Sequence, residues 1–108
     1  MRTRSAAILI QNNSLALMER HRAGQHYFTF PGGGGDEGET PEQAVIREAR
    51  EELGVEVRVI RLAAEIWFRG NQQFFCLVEQ VGGEFGTGEG EEFASDRAPA
   101  RGTYEPIW

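Results

Sequence analysis

Hydrophobic and polar positions change their period several times along this chain, and each change marks an element. Residues 5 to 10 and 14 to 19 are short apolar runs separated by Gln11-Asn12-Asn13. Asn tolerates positive φ, so this pattern predicts a β-hairpin. Tyr27 to Phe30 reads as a short aromatic strand halted by Pro31. The following Gly32-Gly33-Gly34-Gly35 reads as irregular chain whose missing Cβ atoms let backbone approach a ligand or ion closely. Val55 to Phe68 is rich in β-branched and aromatic residues and alternates through Val55, Val57 and Val59. Gln73 to Val81 follows Gly70-Asn71, so the two stretches predict a long hairpin. A glycine-rich loop is expected from Gly82 to Gly90, and a last short strand from Thr103 to Trp108.

Between these strands the period lengthens to that of a helix. Thr40 is placed as N-cap, Pro41 at the first helical position, Gln43 as the second half of a Thr-x-x-Gln capping box, and Gly54 just past the end. The predicted span is Pro41 to Leu53. Ile46, Ala49 and Leu53, with Glu42 and Val45 extending the line, give the stripe expected to pack on a sheet. Strands flanking one strong helix predict an α+β or α/β domain with a mixed sheet.

Length and charge narrow the picture. The chain of 108 residues has room for one domain, taken as residues 1 to 108, and no internal repeat is visible. A domain of this size buries a little over ~60% of the surface its unfolded chain exposes, so each packing element matters. No apolar run approaches the ~18 residues of a membrane span, and a cytoplasmic protein is expected. The single cysteine, Cys76, cannot form an internal disulfide and reads as a buried core thiol. Aspartate and glutamate total 17 against 11 arginines, a net charge of -6, which argues against a nucleic-acid polymer as partner.

The acidic excess gathers partly between Asp36 and Glu52, and there the spacing decides its meaning. At 100° per residue Glu48, Glu51 and Glu52 fall within an arc of about 100° on one helix face. Carboxylates crowded this way repel one another, at on the order of 0.2–0.5 kcal/mol per neighbouring pair, and a divalent cation reverses that sign. The bland alternative is a solvated helix surface with an Arg47 to Glu51 pair.

The wider pattern weighs against the bland alternative. Gly33, five residues, Glu39, seven residues, then Arg47-Glu48-Ala49-Arg50-Glu51-Glu52-Leu53-Gly54-Val55 resembles the Nudix box at every fixed position. The resemblance implies a Nudix-type α/β/α sandwich with a mixed β-sheet. The second long helix that usually closes that sandwich has no counterpart after Tyr104, so the C-terminal helix reads as missing. A sheet face left open would invite a second copy, and a monomer or homodimer is expected.

The resemblance also implies a chemistry. Glu48, Glu51 and Glu52 match the family's metal-binding glutamates, and Gly32 a position whose backbone carbonyl completes the coordination. Arg47 matches the arginine that orients the glutamates, and Glu39 the residue that braces loop and helix. The implied cofactor is Mg²⁺, with Mn²⁺ as substitute. The implied reaction is hydrolysis of a nucleoside diphosphate linked to a group X, giving a nucleoside monophosphate and phosphorylated X. A small MutT-like nucleoside triphosphate is the favoured substrate. The general base is drawn from Glu48 or Glu52, or from Glu91 or Glu92 on the later loop. Two alternatives stand beside this: a nucleotide-binding regulatory module, and a catalytically incomplete domain fragment. Outside the box, Arg20 and Arg22 are read as either phosphate contacts or solvated charge. His21 and His26 are read as surface residues without metal or acid roles, and Trp67, Phe68, Phe74 and Phe75 as mainly core.

Overall fold

The computed structural model describes residues 3–88 and 103–108. Eight strands and one helix are found there: β1 (Thr3–Gln11), β2 (Ser14–Leu15), β3 (Leu17–Arg22), β4 (Gln25–Thr29), β5 (Gly32–Gly34), α1 (Pro41–Leu53), β6 (Val55–Phe68), β7 (Asn71–Gly83) and β8 (Thr103–Ile107). The main sheet runs β2-β1-β7-β6, with β5 also pairing β1, and a smaller sheet runs β4-β3-β8. It is a mixed sheet, since β1 and β7 are parallel while β6 and β7, and β1 with β2 and β5, are antiparallel.

The first predicted hairpin forms only at its tip. Asn12 and Asn13 both take positive φ, 51° and 61°, which suits a tight two-residue turn, and Ile10 pairs Leu15. The chain then leaves the main sheet. Past Ala16 it becomes β3, whose partners are β4 and β8, so residues 14 to 19 are not one strand returning along β1. A turn signal governs only the pairs beside it; β3 instead takes β4, the next strand in sequence, and β8, far along the chain, as its neighbours.

The Gly32–Gly34 segment is a strand rather than irregular chain. Arg4, Ser5 and Ala6 pair with Gly34, Gly33 and Gly32, and the Ala7 amide donates to the Pro31 carbonyl at 2.8 Å. This approach needs glycine: a Cβ on Gly32 would stand 2.6 Å from the Ala6 Cα. The 6–7 hairpin forms as predicted, around Arg69-Gly70 at φ 52° and 79°. Three register irregularities bend it, and β7 extends through Gly82 and Gly83, which the glycine pattern had placed in a loop.

Helix α1 starts and stops where its sequence signals stand. The Thr40 hydroxyl accepts from the Gln43 amide at 3.1 Å, the Gln43 side chain accepts from the Thr40 amide at 2.9 Å, and Gly54 closes the helix at φ 79°. Its buried residues are Ala44, Val45, Glu48, Ala49, Glu52 and Leu53. Glu42 is exposed, contrary to the predicted stripe, and Ile46 only borders the core. The buried face is rotated toward the glutamates. Val45, Ala49 and Leu53 meet Ala7, Leu9, Val55, Val57, Cys76 and Val78 in one cluster that also takes in Ala16 and Met18 from the start of the smaller sheet. Full burial of a side chain such as Leu53 contributes about 2 kcal/mol. Burial also pushes the Cys76 thiol pKa up, in line with an inert core cysteine.

By strand alternation Ile8, Ile10 and Leu77 fall on the sheet face away from α1. Ile10 on that face, and Ile60, Leu62, Ile66 and Val81 on β6 and β7, are exposed. Among the described residues α1 is the one helix, and no helix is long and apolar enough to cross a membrane.

Candidate active site

Arg47 is the centre of the box. Its Nε and Nη2 donate to the two carboxylate oxygens of Glu39 at 2.9 and 3.0 Å, a fork-to-fork pair across the loop–helix junction. Its Nη1 donates to Glu48 Oε1 at 2.8 Å and Glu51 Oε2 at 2.9 Å, and Nη2 also donates to the Gly34 carbonyl at 3.0 Å. One planar guanidinium thus ties β5, the loop and two turns of α1 together, which a lysine with its single point charge would not reproduce.

The electrostatics follow from that geometry. The Arg47 hydrogen bonds hold the Glu39 carboxyl below its usual value of 4.5, helped by the Asp36 amide, which donates to Glu39 Oε1 at 2.9 Å. In return the Glu39 carboxylate raises the Arg47 pKa, with Glu48 adding to it against the cost of burial. Both residues are charged throughout the neutral range.

Glu48 and Glu52 are 6% and 4% exposed, unusual for carboxylates, whereas the Glu51 side chain sits at the rim at 39%. The Gly32 amide donates to Glu52 Oε2 at 3.2 Å, so β5 is pinned to the last turn of α1. Gly33 lies against the other buried carboxylate: a Cβ there would stand 2.9 Å from Glu48 Oε1 and 3.0 Å from its Cδ. The glycine leaves the space that this carboxylate occupies. Around the Arg47 guanidinium gather Glu39, Glu48 and Glu51, with Glu52 one turn on, and the donors these side chains offer are hard oxygens. That donor set fits a cation of the Mg²⁺ class better than a soft metal.

These groups open onto a cleft of about 1170 Å³ between β5, α1 and the smaller sheet. Gly32, Glu39, Glu48 and Glu52 line it, as do Arg4, Arg20, Tyr27, Phe30, Phe74 and Phe75. Such a volume admits a nucleotide-sized ligand. The sequence-predicted residues Gly32, Glu39, Arg47, Glu48, Glu51 and Glu52 are therefore brought together, while Glu91 and Glu92 lie outside the described residues. Of the arginines considered, Arg20 reaches the cleft and stands 5.6 Å from the Tyr27 ring centre; Arg22 is exposed and does not line it. The aromatic expectation fails. Trp67 and Phe68 are exposed at 58% and 56%, and Phe74 and Phe75 line the cleft half-buried, Phe75 edge-on to Phe30 at 5.6 Å. Trp67 and Phe68 are the last residues of β6, at the tip of the β6–β7 hairpin beside the Arg69-Gly70 turn. Arg4, Tyr27 and Phe30 were missed, because only the pairing of β1 with β5 and of β3 with β4 brings them to the glutamates.

Comparison with known proteins agrees with this architecture. Over 60 residues the chain is 45% identical to an RNA pyrophosphohydrolase from Psychromonas ingrahamii, a match that takes in 56% of this chain and 33% of that protein. The chain thus spans about a third of the length of the curated relatives it matches. A solved structure from work on MutT of Aliivibrio salmonicida and Vibrio cholerae superposes with a TM-score of 0.70 at 22% identity, covering 98% of this chain and 78% of that one. An ADP-ribose pyrophosphatase from Streptococcus suis gives 0.68 at 23% identity, covering 81% and 66%. These two likenesses bear on the fold. The model of the NUDIX domain matches residues 1–98, and with the box geometry in place the chain belongs to the NUDIX family.

Proposed function

We propose that this chain hydrolyses a nucleoside diphosphate linked to X, giving a nucleoside monophosphate and phosphorylated X, with a MutT-like nucleoside triphosphate as substrate. The observation that carries this reading is the pair of buried carboxylates, Glu48 and Glu52, at the wall of a nucleotide-sized cleft with Arg47 clamping the surrounding acids. Glu48, Glu51, Glu52 and the Gly32 carbonyl would hold Mg²⁺ or Mn²⁺. When bound, such an ion neutralises the diphosphate and lowers the pKa of a coordinated water.

The protein's own part is positioning and proton transfer. Arg47 and Glu39 fix the loop against the helix so that the glutamates keep their places. Water oxygen attacks one phosphorus, the anhydride P–O bond breaks, and its electron pair leaves on the departing phosphate. Glu48 or Glu52, both inside the cleft, accepts the proton from the attacking water. Arg4 and Arg20 line the same cleft and suit the remaining phosphate charge.

One observation favours a second reading. Several relatives at 40–45% identity are named RNA pyrophosphohydrolases, so the terminal anhydride of an RNA 5′ end is an alternative substrate. The net charge of -6 weighs toward a free nucleotide, because a polymer backbone calls for a basic track. The deciding experiment measures phosphate and pyrophosphate release with and without Mg²⁺. Its panel holds nucleoside triphosphates, ADP-ribose, nucleotide sugars, dinucleoside polyphosphates and a 5′-triphosphorylated RNA oligonucleotide. Metal-dependent release from a nucleoside triphosphate supports the main reading, and release from the RNA alone replaces it with the second. If the whole panel stays silent while a nucleotide binds equally to wild type and Glu52→Gln, the chain is a binding module.

A further inference from the structure

The smaller sheet carries a second cluster of donors on its face away from the cleft. Along β3, Arg20 lines the cleft, as do Tyr27 and Thr29 on β4. Strand alternation sends Glu19 and His21 the other way, and His26, paired directly with His21 across the tight Ala23-Gly24 turn, joins them. His26 Nε2 lies 2.7 Å from Glu19 Oε2 and His21 Nε2 lies 3.9 Å from the same oxygen. The two imidazoles stack at 4.2 Å with their planes 7° apart, and one ligand atom from each of the three residues falls within 4.8 Å of the others.

We propose that Glu19, His21 and His26 form a binding site for a borderline divalent cation of the Zn²⁺ class, separate from the hard-oxygen cluster on α1. In a tetrahedral site with metal–ligand bonds of about 2.0–2.2 Å, neighbouring donors stand about 3.3 Å apart. The observed 2.7 and 3.9 Å to Glu19 bracket that spacing, and metal binding requires the two stacked imidazoles to turn out of parallel so that both lone pairs aim at one ion. Two imidazoles and one carboxylate suit zinc, nickel or copper and are poor ligands for Mg²⁺. Glu105 of β8 sits directly across from Glu19 in register, on the same face, and offers a fourth oxygen. The competing account is an ordinary cross-strand Glu19–His26 hydrogen bond beside a bystander histidine; that account gives His21 no part in binding. A bound cation would tie β3 to β4 behind the wall that presents Arg20 and Tyr27 to the cleft.

The chain has two histidines, so its imidazole signals report on this site alone. The test titrates Zn²⁺ into the full chain in excess Mg²⁺, which occupies hard-oxygen sites, while following both imidazoles by long-range ¹H–¹⁵N NMR. Both should shift together and saturate at one equivalent. His21→Ala should weaken binding at least tenfold, as should Glu19→Gln, while Glu48→Gln leaves the imidazole response unchanged. His21 is exposed, so its replacement tests the idea even if a change at His26 disturbs the hairpin. Immobile imidazoles, movement of His26 alone, or retention of affinity within twofold in His21→Ala would overturn the proposal.

Discussion

The glutamates around α1 and the glutamate on the β3–β4 hairpin are both clustered with cationic or basic groups, yet they are held in opposite ways. On the helix, Glu48 and Glu52 are nearly sealed from water, and the charge that this strands is met internally by Arg47 and the Gly32 amide. On the hairpin, the side chains of Glu19, His21 and His26 are 24%, 58% and 49% exposed, so solvent does much of that work. Burial turns Arg47 into a structural requirement, whereas exposure leaves the hairpin cluster dispensable to folding. Removing one partner of a buried ionic group costs far more than breaking a wet pair.

Arg47→Ala should show the largest effect. It leaves Glu39, Glu48 and Glu51 facing one another, and a loss of about 3–5 kcal/mol is expected from urea unfolding, a large share of the roughly 5–15 kcal/mol that holds a domain folded. Arg47→Lys should recover part of this, since the charge returns without the fork. On the hairpin, Glu19→Gln should cost about 1 kcal/mol or less. A comparable loss at both places would erase the contrast.

Glu52→Gln separates function from stability within the helix cluster. Turnover should fall by roughly 10²–10⁴-fold, the worth of a positioned acid–base group, while the unfolding midpoint holds or rises because one repelling charge is gone. Equal turnover in wild type and variant, measured by phosphate release at saturating Mg²⁺, would remove Glu52 from the mechanism.

Why one cluster was legible in the sequence and the other was not follows from how each is assembled. Helical neighbours three and four apart are spatial neighbours, so Arg47, Glu48, Glu51 and Glu52 declare their face, and Thr40 with Gly54 declare the ends. Glu39 and Gly33 came from the family pattern. Strand partners are set by the rest of the fold. His21 and His26 look like unrelated loop residues until β3 and β4 pair, and one of the neighbours β3 takes after leaving β1 at Ala16 is β8, far along the chain. The pairing of strand with strand likewise turned three of the four glycines into β5 against Arg4, Ser5 and Ala6, and brought Phe74 and Phe75 to the cleft rather than the core.

Gly33→Ala sharpens the contrast from the backbone side. The added methyl would stand 2.9 Å from Glu48 Oε1, so the carboxylate end of that side chain must shift from the place Arg47 holds it in. Because a side-chain end rather than backbone must give way, the stability cost should stay near ~1 kcal/mol, while the displaced carboxylate should raise the Mg²⁺ concentration for half-maximal activity. An alanine in the turn of the hairpin, at Gly24, meets no atom within 4 Å, so only its φ of 79° is penalised, and metal activation should be untouched.

Acid should act on the helix cluster through Glu39. Its folded pKa is depressed below 4.5 by Arg47, so its contribution is fully present above the unfolded value and is lost as pH falls through the folded one. Wild type should therefore lose stability more steeply than Glu39→Gln below about pH 4.5, and the two should converge at the acid end. Parallel curves from pH 7 to 3 would show that the Arg47–Glu39 fork is not felt in folding.

The smallest effect is expected at a third ionic pair, which controls for geometry without burial. Arg58 and Glu79 face each other across β6 and β7, and both guanidinium nitrogens that donate to Glu79 Oε1 do so at close range, yet the side chains are 63% and 46% exposed. By contact alone this pair rivals Arg47 with Glu39. Solvent and salt screen it, and fixing two long side chains costs entropy, so Arg58→Ala should change the unfolding free energy by about 0.5 kcal/mol or less. A loss like that of Arg47→Ala would mean that hydrogen-bond geometry rather than burial sets the strength of these clusters, and the account of why Arg47 is indispensable would have to be rebuilt on that ground.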